Sequence, residues 1–271
     1  MKKIVLTLAA MFVFLASANA QHENLKFEVG GQTFEMVYIG PGSFLMGATP
    51  EQGNSLWLNE RPAHKVTLSP YYIAKFEVTQ DLYEAVMGTN PSHFQGTGLP
   101  VENVSWIEAQ KFVETLNELM HDTLGNRKFA LPSEAQWEFA ARGGADGEVT
   151  KYSGSDDAND VAWISSNSEG RTHTVGMLAP NELGICDMSG NVNEWCYDWW
   201  GIYNSEHRRN PNVTSEGVEH RRLVRGGGWD RGESYCRVSV RHNLQPERKS
   251  PSIGFRIVLI GDSDPIYWRN E

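Results

Sequence analysis

Arg225-Gly226-Gly227-Gly228-Trp229-Asp230-Arg231-Gly232-Glu233-Ser234-Tyr235-Cys236-Arg237 decides how the rest of this 271-residue chain is read. Leu223-Val224-Arg225-Gly226-Gly227 reads as a short strand, and the glycine run turns it into a loop. Past the turn come an indole, Trp229, two charged groups, Arg231 and Glu233, and the thiol Cys236. Only three cysteines occur in the whole chain, so any chemistry that needs paired thiols here has one thiol to work with.

Outward from that segment, composition bounds the fold. Twenty-six glycines and nine tryptophans argue for a compact, loop-rich fold rather than bundles or long sheets. A formal charge of −10 argues against a nucleic-acid or anionic-membrane partner. Met1-Lys2-Lys3, an apolar run from Ile4 to about Ala18, and Ala18-Asn19-Ala20 read as a cleavable signal peptide over 1–20. The apolar run is shorter than the roughly 20 residues of a spanning helix. Export to the periplasm or beyond is therefore expected, with no membrane span once the leader is removed. Residues 21–33 read as an N-terminal lead-in, 34–260 as one domain and 261–271 as a peripheral tail.

Two helices announce themselves by capping boxes. Ser105 with Glu108 precedes Ala109, Phe112, Val113, Leu116, Leu119 and Met120 at helical spacing, with Gly125 as the stop. Ser133 with Gln136 precedes Trp137, Ala140 and Ala141, and Gly143-Gly144 end the run. A shorter helix is expected from Thr79, with Leu82, Tyr83 and Val86 inward. Strands are expected over residues 34–39, 44–47, 64–68, 72–78, 223–227 and 254–258. The stretch from Lys151 to about Arg222 lacks regular periodicity, so metals, aromatic wedges or a disulfide are expected to pin it.

Read in order, several further segments resemble the sulfatase-modifying-factor domain, the fold of the formylglycine-generating enzymes. They include Met36-Val37-Tyr38-Ile39-Gly40-Pro41-Gly42-Ser43-Phe44, Glu60-Arg61-Pro62-Ala63-His64, Pro100-Val101-Glu102-Asn103-Val104-Ser105-Trp106 and Leu131-Pro132-Ser133-Glu134-Ala135-Gln136-Trp137. Gly184-Ile185-Cys186-Asp187-Met188-Ser189-Gly190-Asn191-Val192-Asn193-Glu194-Trp195 and Ile253-Gly254-Phe255-Arg256 complete the set around the opening segment. The resemblance runs from about Phe34 to Val258 and implies an α+β domain related to C-type lectins, loop-rich with short strands and few helices.

It also implies a site. In the family two cysteines five positions apart bind copper(I), a soft ion suited to thiolates, and oxidise a substrate cysteine to formylglycine. Here Cys236 stands at the second position and Arg231 at the first, and Gly228 replaces the family's serine. A cation at the metal position opposes copper by Coulomb repulsion, so copper is not expected. Catalysis would rest on Cys236 alone, and Cys236 is expected to be buried or disulfide-bonded. Cys196–Cys236 and Cys186–Cys196 are both open as bridges; the first would close a loop of about 40 residues and add roughly 3–4 kcal/mol.

The family's calcium segment maps onto Ser189, Asn191, Val192 and Glu194, with side-chain oxygens from Asn191 and Glu194 and carbonyls from Ser189 and Val192. Turn capping is the competing role for Asn191 and Glu194, and Asn193 departs from the family's tryptophan. Eight histidines show neither i, i+4 pairing nor an H-E-x-x-H run. Trp195, Tyr197, Trp199, Trp200 and Tyr203 offer either a ligand platform or packing, with packing expected for Trp195 and Trp199. The expectation that follows is an exported, non-catalytic or divergent member binding a peptide, protein or glycan around Trp229, Arg231 and Glu233. A formylglycine-generating oxidase and a structural component of an envelope or secretion assembly are the alternatives; oligomeric state stays open.

Overall fold

The computed structural model describes residues 23–53, 57–215, 217 and 219–261. The expected signal peptide and the tail beyond Gly261 lie outside the described residues. Along the chain run β1 (Leu25–Val29), β2 (Gln32–Ile39), β3 (Gly42–Met46), β4 (His64–Leu68) and β5 (Tyr71–Ala74). Helices α1 (Gln80–Met87) and α2 (Trp106–Leu124) follow, then β6 (Arg127–Ala130), α3 (Glu134–Ala141) and the single turn α4 (Ala158–Val161). β7 (Ala162–Trp163), β8 (Ser189–Gly190), β9 (Asn193–Trp199), β10 (Arg208–Arg209), β11 (Arg222–Arg225), β12 (His242–Leu244), β13 (Ile253–Gly254) and β14 (Val258–Gly261) complete the order.

Both capping boxes form, and Thr79 caps α1 through Leu82 N–H. Each cap satisfies backbone donors that a helix leaves unpaired at its start. Along α2, Ala109, Phe112, Val113, Leu116, Met120 and Leu124 form the buried stripe. Leu119, expected inward, is 56% exposed, because it falls on the flank of that stripe.

An antiparallel five-stranded sheet runs β1-β2-β5-β14-β6. The residues read as a lead-in therefore open this sheet: Phe27 of β1 is 7% exposed and packs on Phe34 and Phe129. Helices α1 and α2 cover a core in which Tyr83 stacks on Phe112 at 5.4 Å. A second sheet, β12-β11-β9-β13, carries the loop that opened the sequence analysis, and β10-β4-β3 and β7-β8 are smaller. Among the described residues no helix is long and apolar enough to cross a membrane.

The expected strand over 254–258 is divided. Gly254 closes β13 beside β9, where a Cβ would lie 2.3 Å from Val101 O, so only glycine fits. Phe255 O and Ile257 O then accept from Val78 N–H and Ala74 N–H as the chain crosses to the other sheet. Between them Arg256 turns inward onto Glu194.

That pair is fully buried. Arg256 Nε and Nη2 donate to Glu194 Oε2 and Oε1 at 2.6 and 2.7 Å, and Trp137 Nε1 donates to Oε2 at 2.8 Å. Arg256 also donates to the carbonyls of Ala74 and Cys186, both at 3.0 Å. Three more buried arginines follow the same logic. Arg225 reaches Glu138, Arg241 grips Glu134 at 2.7 Å, and Arg237 grips Glu60 at 2.8 Å. Every residue of α3 is buried, and its two acids are tolerated because each meets an arginine.

Replacing Arg256 by Met leaves the buried Glu194 carboxylate with the Trp137 N–H but no counter-charge, and removes the donor that the carbonyls of Ala74 and Cys186 share. Urea denaturation is expected to show a loss of about 3–5 kcal/mol, whereas Met at exposed Arg231 should stay within about 0.5 kcal/mol.

Candidate functional site

Gly226 and Gly227 turn the chain out of β11 with φ of +89° and +73°. A Cβ on Gly227 would sit 2.5 Å from Cys236 Sγ, so glycine there lets the sulfur lie directly beneath the turn. Cys236 is 0% exposed and packs with Tyr152, Ala158 and Val161. Burial pushes its pKa up to about 12, and the charges of Asp230 and Glu233 add to the shift against backbone N–H groups of Gly190 and Gly228. A thiol in that state is a weak nucleophile and a poor metal ligand. Arg231 is exposed, 3.8 Å from Asp230 and stacked 5.6 Å from the Tyr235 ring centre. One sealed thiol with no second thiol in its cluster does not fit a copper(I) ion.

Neither expected disulfide forms: Cys186, Cys196 and Cys236 are all free and buried. The reason is packing. Cys196 sits in the core around α3, while Cys236 belongs to the separate cluster under Gly227. Cys186 is held by its backbone, its N–H on Lys75 O and its carbonyl on Arg256. The stretch after Lys151 is pinned instead by buried ion pairs and aromatic stacks, such as Trp163 on His173 at 3.7 Å.

The residues named for calcium come together, but their side-chain oxygens are committed. Glu194 serves Arg256 and Trp137. Asn191 Oδ1 accepts from His173 N–H at 3.0 Å, its Nδ2 donates to Glu77 at 2.6 Å, and Ser189 Oγ accepts from Ser153 N–H at 3.2 Å. Val192 N–H donates to Glu77 at 3.0 Å. No group of three or more His, Cys, Asp or Glu side chains suited to a metal occurs among the described residues. As placed, the side-chain oxygens of Asn191 and Glu194 serve the protein itself rather than a cation.

What opens to solvent is a groove of about 470 Å³ between the loop, β12 and the turn at 248–253. Asn193, Arg231, Tyr235, His242, Arg248 and Ser252 line it. All three departures from the family pattern meet here. Asn193 Nδ2 donates to Ser252 O at 3.0 Å, and a Cβ on Gly228 would lie 3.0 Å from that same nitrogen. Gly228 thus makes room for Asn193, and Arg231 occupies the rim.

Of the expected ligand surface, Arg231 lines the groove and Glu233 is exposed at the start of the turn that carries Tyr235. Trp229 is a wedge: its Nε1 donates to Pro251 O at 2.9 Å and its ring meets the edge of Phe94 at 5.4 Å. Trp195 is buried, and Trp199 stacks on Arg222 at 3.5 Å, so both are packing residues. Tyr235, His242, Arg248 and Trp57 were not expected. Trp57 meets Tyr235 and His242 edge-on at 4.9 and 5.1 Å, and Tyr235 stacks on His242 at 5.7 Å. Burial lowers the His242 pKa to about 4, with Arg231 and Arg225 adding to the effect, so the imidazole is neutral at pH 7.

Behind Trp229, buried Glu102 accepts from Phe94 N–H at 2.7 Å. Burial raises its pKa to about 7, against those backbone donors.

With this geometry the relationship is plain. Residues 21–260 match the sulfatase-modifying factor enzyme 1-like domain, and the chain belongs to that family. It is 33% identical over 238 residues to a protein of Paenibacillus barcinonensis named chaperone protein LppX, covering 71% of this chain and 81% of that one. It is 28% identical to the formylglycine-generating enzyme of Streptomyces coelicolor, covering 82% of this chain and 66% of the enzyme. Among solved structures, Treponema denticola variable protein 1 superposes with a TM-score of 0.78 at 31% identity, covering 87% of this chain and 98% of that one. The α+β fold of the formylglycine-generating enzymes is the fold of this chain.

Two outcomes follow. Without reductant, a thiol reagent at pH 8 should label no cysteine in the native protein and all three in urea. Glu102 holds its proton more tightly folded than unfolded, so its contribution favours the fold at low pH and is lost as pH rises from 4.5 through about 7. Glu102→Gln should therefore flatten the fall of melting temperature across that window.

Proposed function

We propose that this chain is a non-catalytic, binding member of its family, taking a peptide, protein or glycan in the groove between Arg231, Tyr235, His242 and Arg248. One observation carries the reading: Cys236 is sealed under Gly227, and the position of a second thiol holds an exposed arginine. Oxidation of a substrate cysteine needs a reactive, reachable sulfur, and this loop supplies none. Binding needs an accessible concave surface with a few fixed polar groups, and the loop supplies that. The relative named a chaperone supports a protein or peptide as the ligand, and the relative named a formylglycine-generating enzyme supports the oxidase alternative.

Mass spectrometry decides between them. The protein is loaded with copper and given a sulfatase-type Cys-x-Pro-x-Arg peptide, with Cys236→Ser and an active family enzyme in parallel. The expected result is no conversion by either form of this protein. Loss of thiol mass that depends on Cys236 would sink the binding reading and make the chain an oxidase.

A further inference from the structure

The groove does not end at Tyr235 and His242. Those two side chains form a wall shared with a second, more open cleft of about 530 Å³ lined by Trp57, Leu58 and Asn59. On its far side Arg241 Nη1 donates to both Asn59 O and Gly201 O at 3.0 Å, tying two loops together. Each loop places an exposed aliphatic residue next to that tie: Leu58 is 83% exposed and Ile202 is 87% exposed. The surface is therefore graded. Aliphatic side chains stand at one end, an aromatic wall of Trp57, Tyr235 and His242 in the middle, and guanidinium groups at the other end.

The charged end is cationic in a chain that is otherwise acidic. Arg231 and Arg248 face a single carboxylate, Asp230, within the groove, whereas the whole chain carries −10. Asp230 is itself shared, accepting from Ser252 Oγ at 3.2 Å, and lies 3.8 Å from Arg231. Arg248 is exposed and has no ion-pair partner among the described residues. Two exposed guanidiniums on a local excess of positive charge select carboxylates by geometry as well as sign. The exposed aliphatic pair favours a peptide side chain over a sugar, because a hydroxyl-covered ring gains little against Leu58 and Ile202. Strand β12 lines the groove and has β11 on one side only among the described strands, so an extended segment can run alongside it.

The geometry points to an extended acidic peptide as the occupant, its carboxylates on Arg231 and Arg248 and an adjacent apolar side chain against Trp57 and Leu58. This rests on the binding reading above and names the class of ligand. It differs in charge from a Cys-x-Pro-x-Arg substrate, whose arginine would meet like charge here.

The test is selection from a phage-displayed random heptapeptide library on the purified protein. The expected pool is rich in Asp and Glu next to Leu, Ile, Phe or Trp. The most frequent sequence, synthesised and measured by fluorescence polarisation, should bind at least tenfold more weakly to R231E/R248E. Its Glu→Gln and Asp→Asn analogue should lose as much on the wild type, and affinity should fall with added salt. Both arginines are exposed, and an unchanged thermal melt confirms that the variant is folded. Selection on R231E/R248E should shift the pool towards Lys and Arg. A pool without acidic enrichment, an affinity unmoved by charge reversal, or no selected peptide at all overturns the inference. None of these results bears on the thiol assay, so the failure of this inference and the failure of the binding reading are separate events.

Discussion

The carboxylate of Glu194, held by Arg256 and the Trp137 indole, is the contact on which the rest depends. It joins β9, α3 and the crossing segment between β13 and β14, and through Arg256 it reaches the carbonyls of Ala74 and Cys186. Desolvating two charges is costly, and the Coulomb gain offsets it only when geometry is close and the remaining donors find partners. Here the guanidinium's hydrogen bonds to Glu194 and to the two carbonyls engage both sides of its fork. The same solution recurs at Arg225, Arg237 and Arg241, so the second half of the molecule is organised around paired buried charge as much as around apolar packing. A fold with short strands and long connections has few repeating hydrogen-bond ladders. Discrete, directional contacts of this kind fix its irregular backbone instead.

Much of the scaffold was legible because its signals are local. Thr79, Ser105 and Ser133 cap helices within three residues of themselves, and the alternation His64-Lys65-Val66-Thr67-Leu68 is a strand with those same bounds. The strand expected over 254–258 failed for the opposite reason. Arg256 leaves the alternation to meet Glu194, a partner decided far away in the chain, and the ladder breaks around it. The cysteines misled in a similar way: count and expected compartment suggested a bridge, whereas core packing places each thiol among different neighbours. Arg237 and Arg241 are buried against Glu60 and Glu134, partners far away in the chain that no neighbouring residue announces.

The site was half legible. Asn193, Gly228 and Arg231 were each visible as departures from a family pattern, but only the fold shows that they are neighbours. Asn193 fits because Gly228 lacks a side chain, and Arg231 then stands at the rim of the space they share. A change of that kind reshapes the loop without disturbing the strands that carry it, so one framework can carry different sites. Trp229 reads as a platform because it is an indole in a loop, and only the fold shows its N–H engaged by Pro251 O and its ring against Phe94. Tyr235 and His242 lie close together in the chain, but Trp57 comes from far earlier, so no local window of sequence contains all three.

The order of strands in the five-stranded sheet sets a schedule for folding. β14 lies between β5 and β6, and β5 in turn is flanked by the opening hairpin. A nascent chain can close that hairpin and wind α2 early, yet a gap stays in the middle of the sheet until Val258 emerges. Pairing over such a separation is slow compared with local contacts, because loop closure precedes any reward. Until then the edges of β5 and β6 stand open to any other strand. A ribosome stall or a premature stop codon before Val258 would therefore leave a sticky, half-built sheet rather than a smaller stable domain.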